Sequence, residues 1–507
     1  MPTSKVLKIS GFLAGVASLA VAVGCGGGGG VVIPHPTGKY SNASFKGSYV
    51  FQIHGVISQT GNPYREVGVI TADGNGNITG GTDAANTVGS AGAVQSASSL
   101  TGTYSVANDG TGTVAINSTA FGSLFGISQI TFAVTLTSTS GADLIEADTF
   151  ADGTGTAMLQ DPTAIGTTPS GTFVFGLHDD SNTQSASESE VGVFTISGTS
   201  VTGSMDQNLI SSSASLTLNG SFTAPSALGV GTATFTDNTS ASTSFIYYIV
   251  NSGKFAFLTS DSAVGSGSAE AQTGTVSAGL SGTYVFGSRG DDVNGGIAAD
   301  ATVGEFTASG ATFSSGALDA MQDGNYSGVV TLTGAPVGSP SAQGRVKVTL
   351  TAGGSPGPTM VFWMVNPSRA FFLDENGGDV EDGTADLQTG ASFSASTIKG
   401  QFAIVMDGID FINSQAIARI GTLQFDGTGK ITLVELVNDS GSGAGAQSPG
   451  TLAGSYQVGG SGRITTQING NNGGGPDLVM YAISGSRAYA LQTDSGENTS
   501  GVVQLQQ

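Results

Sequence analysis

Gly47-Ser-Tyr49 opens a pattern that this chain uses four times. It returns as Gly171-Thr-Phe173, Gly282-Thr-Tyr284 and Gly400-Gln-Phe402. A Val/Ile-Gly pair comes after each copy: Val67-Gly68, Val191-Gly192, Val303-Gly304 and Ile420-Gly421. The glycine-to-glycine offsets are 21, 21, 22 and 21 residues. A spacing held that closely means one module of about 110 residues used four times, each long enough to bury its own core.

The copies close on Gln160, Gln272, Gln388 and Gln506, which sets the modules at 44–160, 166–272, 279–388 and 396–507. A short polar stretch comes after each of the first three glutamines. That pattern predicts separate beads rather than one fused sheet.

Within a module, short Val/Ile/Thr/Phe/Tyr runs alternate with Gly/Asn/Asp/Ser clusters, and helical periodicity is nearly absent. The first copy reads as eight strands near 48–54, 66–72, 77–82, 99–106, 112–117, 129–137, 143–149 and 155–160. Asp73-Gly-Asn-Gly76, Asp109-Gly-Thr-Gly112, Asp152-Gly-Thr-Gly155 and Asp426-Gly-Thr-Gly429 read as turns, with glycine supplying positive φ. Late in the modules comes a hairpin that is apolar on both faces. It reads Phe245–Val250 with Lys254–Leu258, Val361–Val365 with Arg369–Leu373, and Leu478–Ile483 with Arg487–Leu491. Such arms belong centrally or against a neighbouring module. The first copy is weaker, with Gly141 where the others carry a base.

The fold class is therefore all-β, four tandem modules, each an eight-stranded antiparallel up-and-down barrel that closes to remove sheet edges. A two-sheet sandwich fits the same strand count, and so does an eight-bladed propeller built from half-modules. The order of Gly-x-aromatic, Asp-Gly turn and Gly102-Thr-Tyr104 resembles streptavidin- and lipocalin-like meanders. That resemblance covers turns, not ligand contacts. Avidin-type sites stack biotin between tryptophans, and this chain has one, Trp363. A packed barrel interior would remove the lipocalin-like ligand idea.

The chain begins with Lys5 and Lys8, an uncharged run Ile9–Val23, and Ala22-Val23-Gly24-Cys25, which holds the only cysteine. These residues resemble a bacterial lipoprotein signal, departing from it at Ala22 where that family prefers Leu. The resemblance implies cleavage before Cys25, acylation of Cys25 and export to the cell envelope, at the outer membrane or cell surface. Residues 26–43 read as a Gly/Pro tether that lets the folded part stand clear of the membrane. The whole resembles uncharacterised bacterial surface lipoproteins with a glycine tether and Asp-Gly-rich β modules, a family that brings no assigned activity.

The formal net charge of −22 becomes −24 once Lys5 and Lys8 are removed. That field repels phosphate backbones and argues against nucleic-acid binding. Of the three histidines, His35 falls in the tether. His54 and His178 are assigned no shared module position and read as ordinary strand or loop residues. Ser-His-Asp and zinc sites are thus poorly supplied. The Gly353-Gly-Ser-Pro-Gly357 match lacks a following helix and reads as a loop. Gly24 to Gly29 matches a dinucleotide pattern only through its glycine run. Arg289-Gly-Asp291 reads as a chance tripeptide in a loop.

Acids do track the repeat. Asp83, Asp206, Asp319 and Glu435 lie 15, 14, 15 and 14 residues after the Val/Ile-Gly glycine. Asp148, Asp261 and Asp494 end the apolar hairpin, with Asn376 in the third copy. Two acids per module would converge at a barrel mouth to hold Ca²⁺ or a hydroxyl-rich ligand; the plainer reading is turn and strand-end solvation. Three functions fit this pattern. The first is multivalent, non-catalytic binding or adhesion to a glycan or envelope ligand. The second is a carbohydrate-active enzyme using a carboxylate pair. The third is an envelope spacer.

Overall fold

A computed structural model describes residues 39–507, apart from 181–186, 293–297, 391, 440–444 and 470–474. The signal segment, Cys25, His35 and most of the tether lie outside the described residues. The described chain is all-β and forms four closed, eight-stranded antiparallel barrels. They span Lys46–Leu159, Gly171–Ala271, Leu280–Leu387 and Lys399–Leu505. Barrels 2 to 4 are plain meanders in which the last strand returns to pair with the first. Barrel 1 closes the same way and adds a two-residue strand, Val94–Gln95, and a helix, Thr119–Phe125. Ser118 caps that helix by accepting from Phe121 N, and Gly126 ends it at φ 74°.

The repeated glycines have a steric cause. In each barrel the Val/Ile-Gly glycine lies directly across the first hairpin from the residue four places after the module's first glycine. The pairs are Phe51–Gly68, Phe175–Gly192, Phe286–Gly304 and Ile404–Gly421. A Cβ on Gly68 would come within 2.6 Å of the Phe51 ring, and on Gly304 within 2.7 Å of the Phe286 ring. The opening glycines sit at φ 123°, 106°, 113° and 121°, where a side chain is strained. The constant offset is thus the register of one hairpin, pinned at both ends by glycine.

Inside, the barrels are filled. Phe173, Phe175, Phe194, Phe222, Phe235 and Phe255 interlock in barrel 2 with ring centroids 5.1–6.2 Å apart. The voids left in barrels 1 and 2 measure about 10 Å³ each, room for no more than a water. The lipocalin-like hollow interior is therefore excluded for these two barrels.

The four sheets are separate, as expected, but the beads do not stand apart. Barrel 1 packs on barrel 2, 2 on 3, 3 on 4, and 4 back on 1, closing a ring. The late hairpins make the contacts. Their second apolar face (Tyr248 and Leu258, Trp363 and Leu373, Tyr481 and Leu491) packs against outward valines of the preceding barrel. The weaker first-copy hairpin gives the smallest such face, Ala133 and Ile145 against Ala418 and Ile420 of barrel 4.

Each closing glutamine clasps the next barrel. Gln160 Nε2 donates to Leu228 O (3.1 Å) and Ile249 O (2.7 Å). Gln272 donates to Gln343 O and Met364 O, and Gln388 to Ser461 O and Ala482 O. Gln506 donates to Asp109 O (3.0 Å) and Leu136 O (2.7 Å) of barrel 1, so the end of the chain locks onto its beginning. The residue after each glutamine adds a backbone bond to the same hairpin: Asp161, Thr273, Thr389 and Gln507. Gln506→Ala removes both side-chain bonds, including the one to the buried Leu136 carbonyl. A destabilisation of about 1–3 kcal/mol is expected, read as a lower Tm by calorimetry; an unchanged Tm would refute the clasp.

Candidate ligand-binding site on the ring axis

The first and last strands of all four barrels turn one face toward the ring axis, and the residue seven places after each opening glycine lies there. These four residues are His54, His178, Arg289 and Asp407. The reading of His54 and His178 as unrelated is corrected, since both occupy the same module position. Arg289-Gly-Asp291 is likewise no loop; it lies within the strand Leu280–Asp292.

Together these residues form a charged plate. His54 Nε2 lies 2.9 Å from Asp407 Oδ2, 2.7 Å from Arg289 Nη2 and 3.1 Å from Thr154 Oγ1. Arg289 Nη1 also donates to Asp407 Oδ1. His178 Nδ1 lies 2.9 Å from Asp382 Oδ2, and Ser189 Oγ donates to that same oxygen at 2.7 Å. Asp382 is the cross-strand neighbour of Arg289, so the two groups are contiguous. Burial and then the Arg289 charge push the His54 pKa down to about 4, which keeps the ring neutral at physiological pH. Burial alone would raise Asp407, but the Arg289 charge, with hydrogen bonds from His54 and Thr154, outweighs it and holds the carboxyl low. Burial is likewise overcome at Asp382 by the charge and hydrogen bond of His178 and the bond from Ser189. Both plate acids are therefore carboxylates.

A serine, a histidine and an aspartate meet here, but not as a nucleophilic triad. Such a triad needs the serine on one imidazole nitrogen and the acid on the other. Here Ser189 and His178 Nδ1 both address one carboxylate oxygen, and Ser189 is fully buried.

The plate divides the axis into two adjoining cavities of about 310 and 370 Å³, within the range of small-molecule pockets. The first is bordered by charged and amide groups, Arg65, Asp152, Asp300 and Asn498. The second is bordered by Gln52, small hydroxyl side chains, valines, and the rings of Phe371 and Tyr489.

The repeated acids lie elsewhere and do not form one class. Asp83 and Glu435 pair across their hairpins with the motif glycines Gly68 and Gly421, so they point into barrels 1 and 4. Asp206 and Asp319 pair instead with Val191 and Val303 and point out, into the next interface. There Arg345 grips Asp206 through Nε (2.7 Å) and Nη2 (2.6 Å), and Trp363 Nε1 adds a bond at 2.8 Å. Arg463 grips Asp319 in the same fork, with Tyr481 in place of the tryptophan. Burial would raise Asp319, but these hydrogen bonds hold it low. Glu435 is bound by Arg419 of its own barrel.

Asp83 meets Glu66 and Glu146 inside barrel 1. Glu66 lies against Asp83, no cation among the described residues neutralises the pair, and all three side chains are fully buried. Desolvation, reinforced by the neighbouring acids, raises Glu66 well above the ordinary range. The second set caps backbone. Asp148 accepts from Thr131 N and Phe150 N, Asp261 from Ser244 N and Ala263 N, Asp494 from Asp477 N, and Asn376 from Thr359 N. Among the described residues no group of three or more His, Cys, Asp or Glu is arranged to hold a metal ion. Gly353 (φ 58°) and Gly354 (φ 83°) form the turn joining Ala352 to Ser355, with a strand and no helix after it.

Three asparagines that sequence reasoning misses also join barrels. Asn86 Nδ2 bonds three carbonyls of barrel 2, Asn208 three of barrel 3, and Asn438 three of barrel 1. Their signal is a place two or three residues after the repeated acid.

No family model matches this chain, and no curated protein matches it. Among solved structures, intact Ap-TbpB (N and C lobes) is similar at 9% identity and TM-score 0.18, over 72% of this chain and 83% of that one. The ferric citrate transporter FecA in its unliganded form is similar at 9% identity and TM-score 0.11, over 90% and 78%. Similarity at these TM-scores says nothing about what this chain binds.

The acids lead to two testable outcomes. Arg345→Ala leaves Asp206 buried without its cation, at an expected cost of about 3–5 kcal/mol. Emission from Trp363, the only tryptophan, should shift to longer wavelength as that interface loosens. Glu66 holds a proton in the folded state that the unfolded chain releases near its ordinary pKa of about 4.3. Its contribution is therefore complete in acid and is lost as pH rises above that value. Calorimetry from pH 5 to 8 should show Glu66→Gln with a higher Tm at pH 8 and a smaller alkaline decline than the parent; parallel curves would refute the assignment.

Proposed function

We propose that this protein is a non-catalytic, lipid-anchored binding protein of the cell envelope, whose four barrels jointly build one ligand site on the ring axis. The observation that carries the reading is the convergence of His54, His178, Arg289 and Asp407. One module position supplies four polar groups to a single place between two cavities. Packed barrels support it further, since the void in barrel 1 or 2 is about 10 Å³ against about 370 Å³ on the axis. Clamped carboxylates favour binding over turnover. A glycosidase acid needs a raised pKa, whereas Asp382 and Asp407 are held low by their hydrogen-bonded partners and by Arg289. The apolar hairpins that would have served adhesion are spent on the ring interfaces. Anchorage rests on Cys25 and the segment before it.

The test is stoichiometry. Native mass spectrometry of the full chain in detergent, after exposure to small-molecule envelope extract, should show one ligand per chain. Arg289→Ala should abolish that complex while leaving the Tm within a few degrees. Four ligands per chain would return the reading to independent modules. Ligand conversion would return it to catalysis, and no ligand to a spacer.

A further inference from the structure

We propose that the second axial chamber takes the polyhydroxyl end of a neutral saccharide. This rests on the axial-site reading and names its ligand class.

The wall of that chamber is built by the last strands, again at repeating positions. Six residues before each closing glutamine stand Thr154, Ser266, Asp382 and Ser500. Four residues before it stand Thr156, Ser268, Thr384 and Val502. Two tiers of side chains thus circle the axis, and six of the eight carry a hydroxyl. A hydroxyl both donates and accepts, as does the Gln52 amide at the same chamber. A matching ligand presents many groups that do both, which is the chemistry of a sugar ring.

The rest of the chamber fits the other half of such a ligand. Phe371 and Tyr489 bring aromatic rings to the wall, and each lies over a glycine of the preceding barrel. A Cβ on Gly176 would meet the Phe371 ring at 3.1 Å, and on Gly287 the Tyr489 ring at 2.7 Å. Together with the valines they give apolar surface beside the hydroxyl tiers, suited to the C–H face of a saccharide.

Ions fit less well. Arg289 already serves Asp407 and lies beside Asp382, so a phosphate or carboxylate would displace a carboxylate from its cation. A cation would compete with Arg289 and His178 for those same acids. Asp407 is compensated by Arg289, and Asp382 is already engaged by His178 and Ser189, so both acids have their partners within the plate. The wall groups that differ between modules (Gln52, Asp382, Val502 and the plate itself) make the chamber asymmetric, as a ligand without fourfold symmetry requires.

The experiment is isothermal titration calorimetry of the full chain in a non-glycosidic detergent. Neutral mono- and disaccharides of the glucose, galactose and N-acetylglucosamine types are titrated, with inorganic phosphate in parallel. The expected result is saturable one-to-one binding of at least one saccharide, weakened about tenfold or more in Thr156→Val/Ser268→Val. Ser268→Ala alone, weakened less, serves if the double variant fails to fold. Saccharide binding unchanged by these variants overturns the proposal. Phosphate binding lost in Arg289→Ala, with no saccharide bound, overturns the ligand class while the axial site stands. No binding of either probe to the folded chain overturns the saccharide class as well, and the axial-site reading then falls or stands on the native mass spectrometry.

Discussion

One amide holding two carbonyls recurs at every joint of this ring. The closing glutamine of a barrel reaches the next one and bonds a carbonyl of its late hairpin together with one on an earlier turn, and the hairpin oxygen is covered by the joint. A donor there is obligatory once the hairpin is covered. The hairpin is covered because its outer face is apolar, and burying that face requires a neighbour. The glutamine and the two-faced hairpin therefore imply one another. Repeated four times with the last copy meeting the first, they turn a linear array into a closed ring. Closure has a consequence that an open array lacks, because it creates an axis and puts one face of every barrel on it.

The joints share a clasp but not a set of contacts. Between barrels 2 and 3 and between 3 and 4 a buried aspartate is gripped by an arginine of the next barrel. Between 1 and 2 the arginine's place is taken by Val230, paired with Tyr248, and the acid has moved inside the barrel. Bulk is exchanged as well. Gly176 admits Phe371 and Gly287 admits Tyr489, whereas module 1 carries Gln52 at the glycine position and module 2 carries Ala256 at the ring position. An unpaired buried aspartate or two rings in one space would penalise the wrong neighbour. The order of modules around the ring is thus written in charges and volumes, beside the clasp that holds any order.

The barrel itself was legible in the sequence because glycine is the residue whose position sterics dictates most strictly. The glycine-to-glycine offset is a hairpin register, and eight short strands with hairpin turns can close on themselves. The two-faced hairpins correctly pointed to a neighbour. The ring was not legible, because polar connectors look the same whether modules dangle or dock. The acids misled through a single residue. Offsets of 14 and 15 look equivalent along the chain, and neither value tells the face, because turn length and bulges between the two strands set which residue the acid opposes. Asp83 and Glu435 oppose the motif glycine and lie inside barrels, while Asp206 and Asp319 oppose the valine before it and lie between them.

The axial position escaped notice for a different reason, which the ring explains. Reading a repeat means looking for residues that recur, and a core or turn position recurs because each copy meets the same surroundings. A residue on the axis meets its own equivalents instead. Four identical charges there would repel at short range in a partly dry cavity, and four identical neutral groups would leave donors facing donors. The stable solution is a set of unlike groups that satisfy one another, and His54, Arg289 and Asp407 do so directly. Divergence at a position fixed in every copy is therefore the sequence signature of convergence in space. In a closed repeat, the place to look for a composite site is the position whose spacing is constant and whose residue type is not.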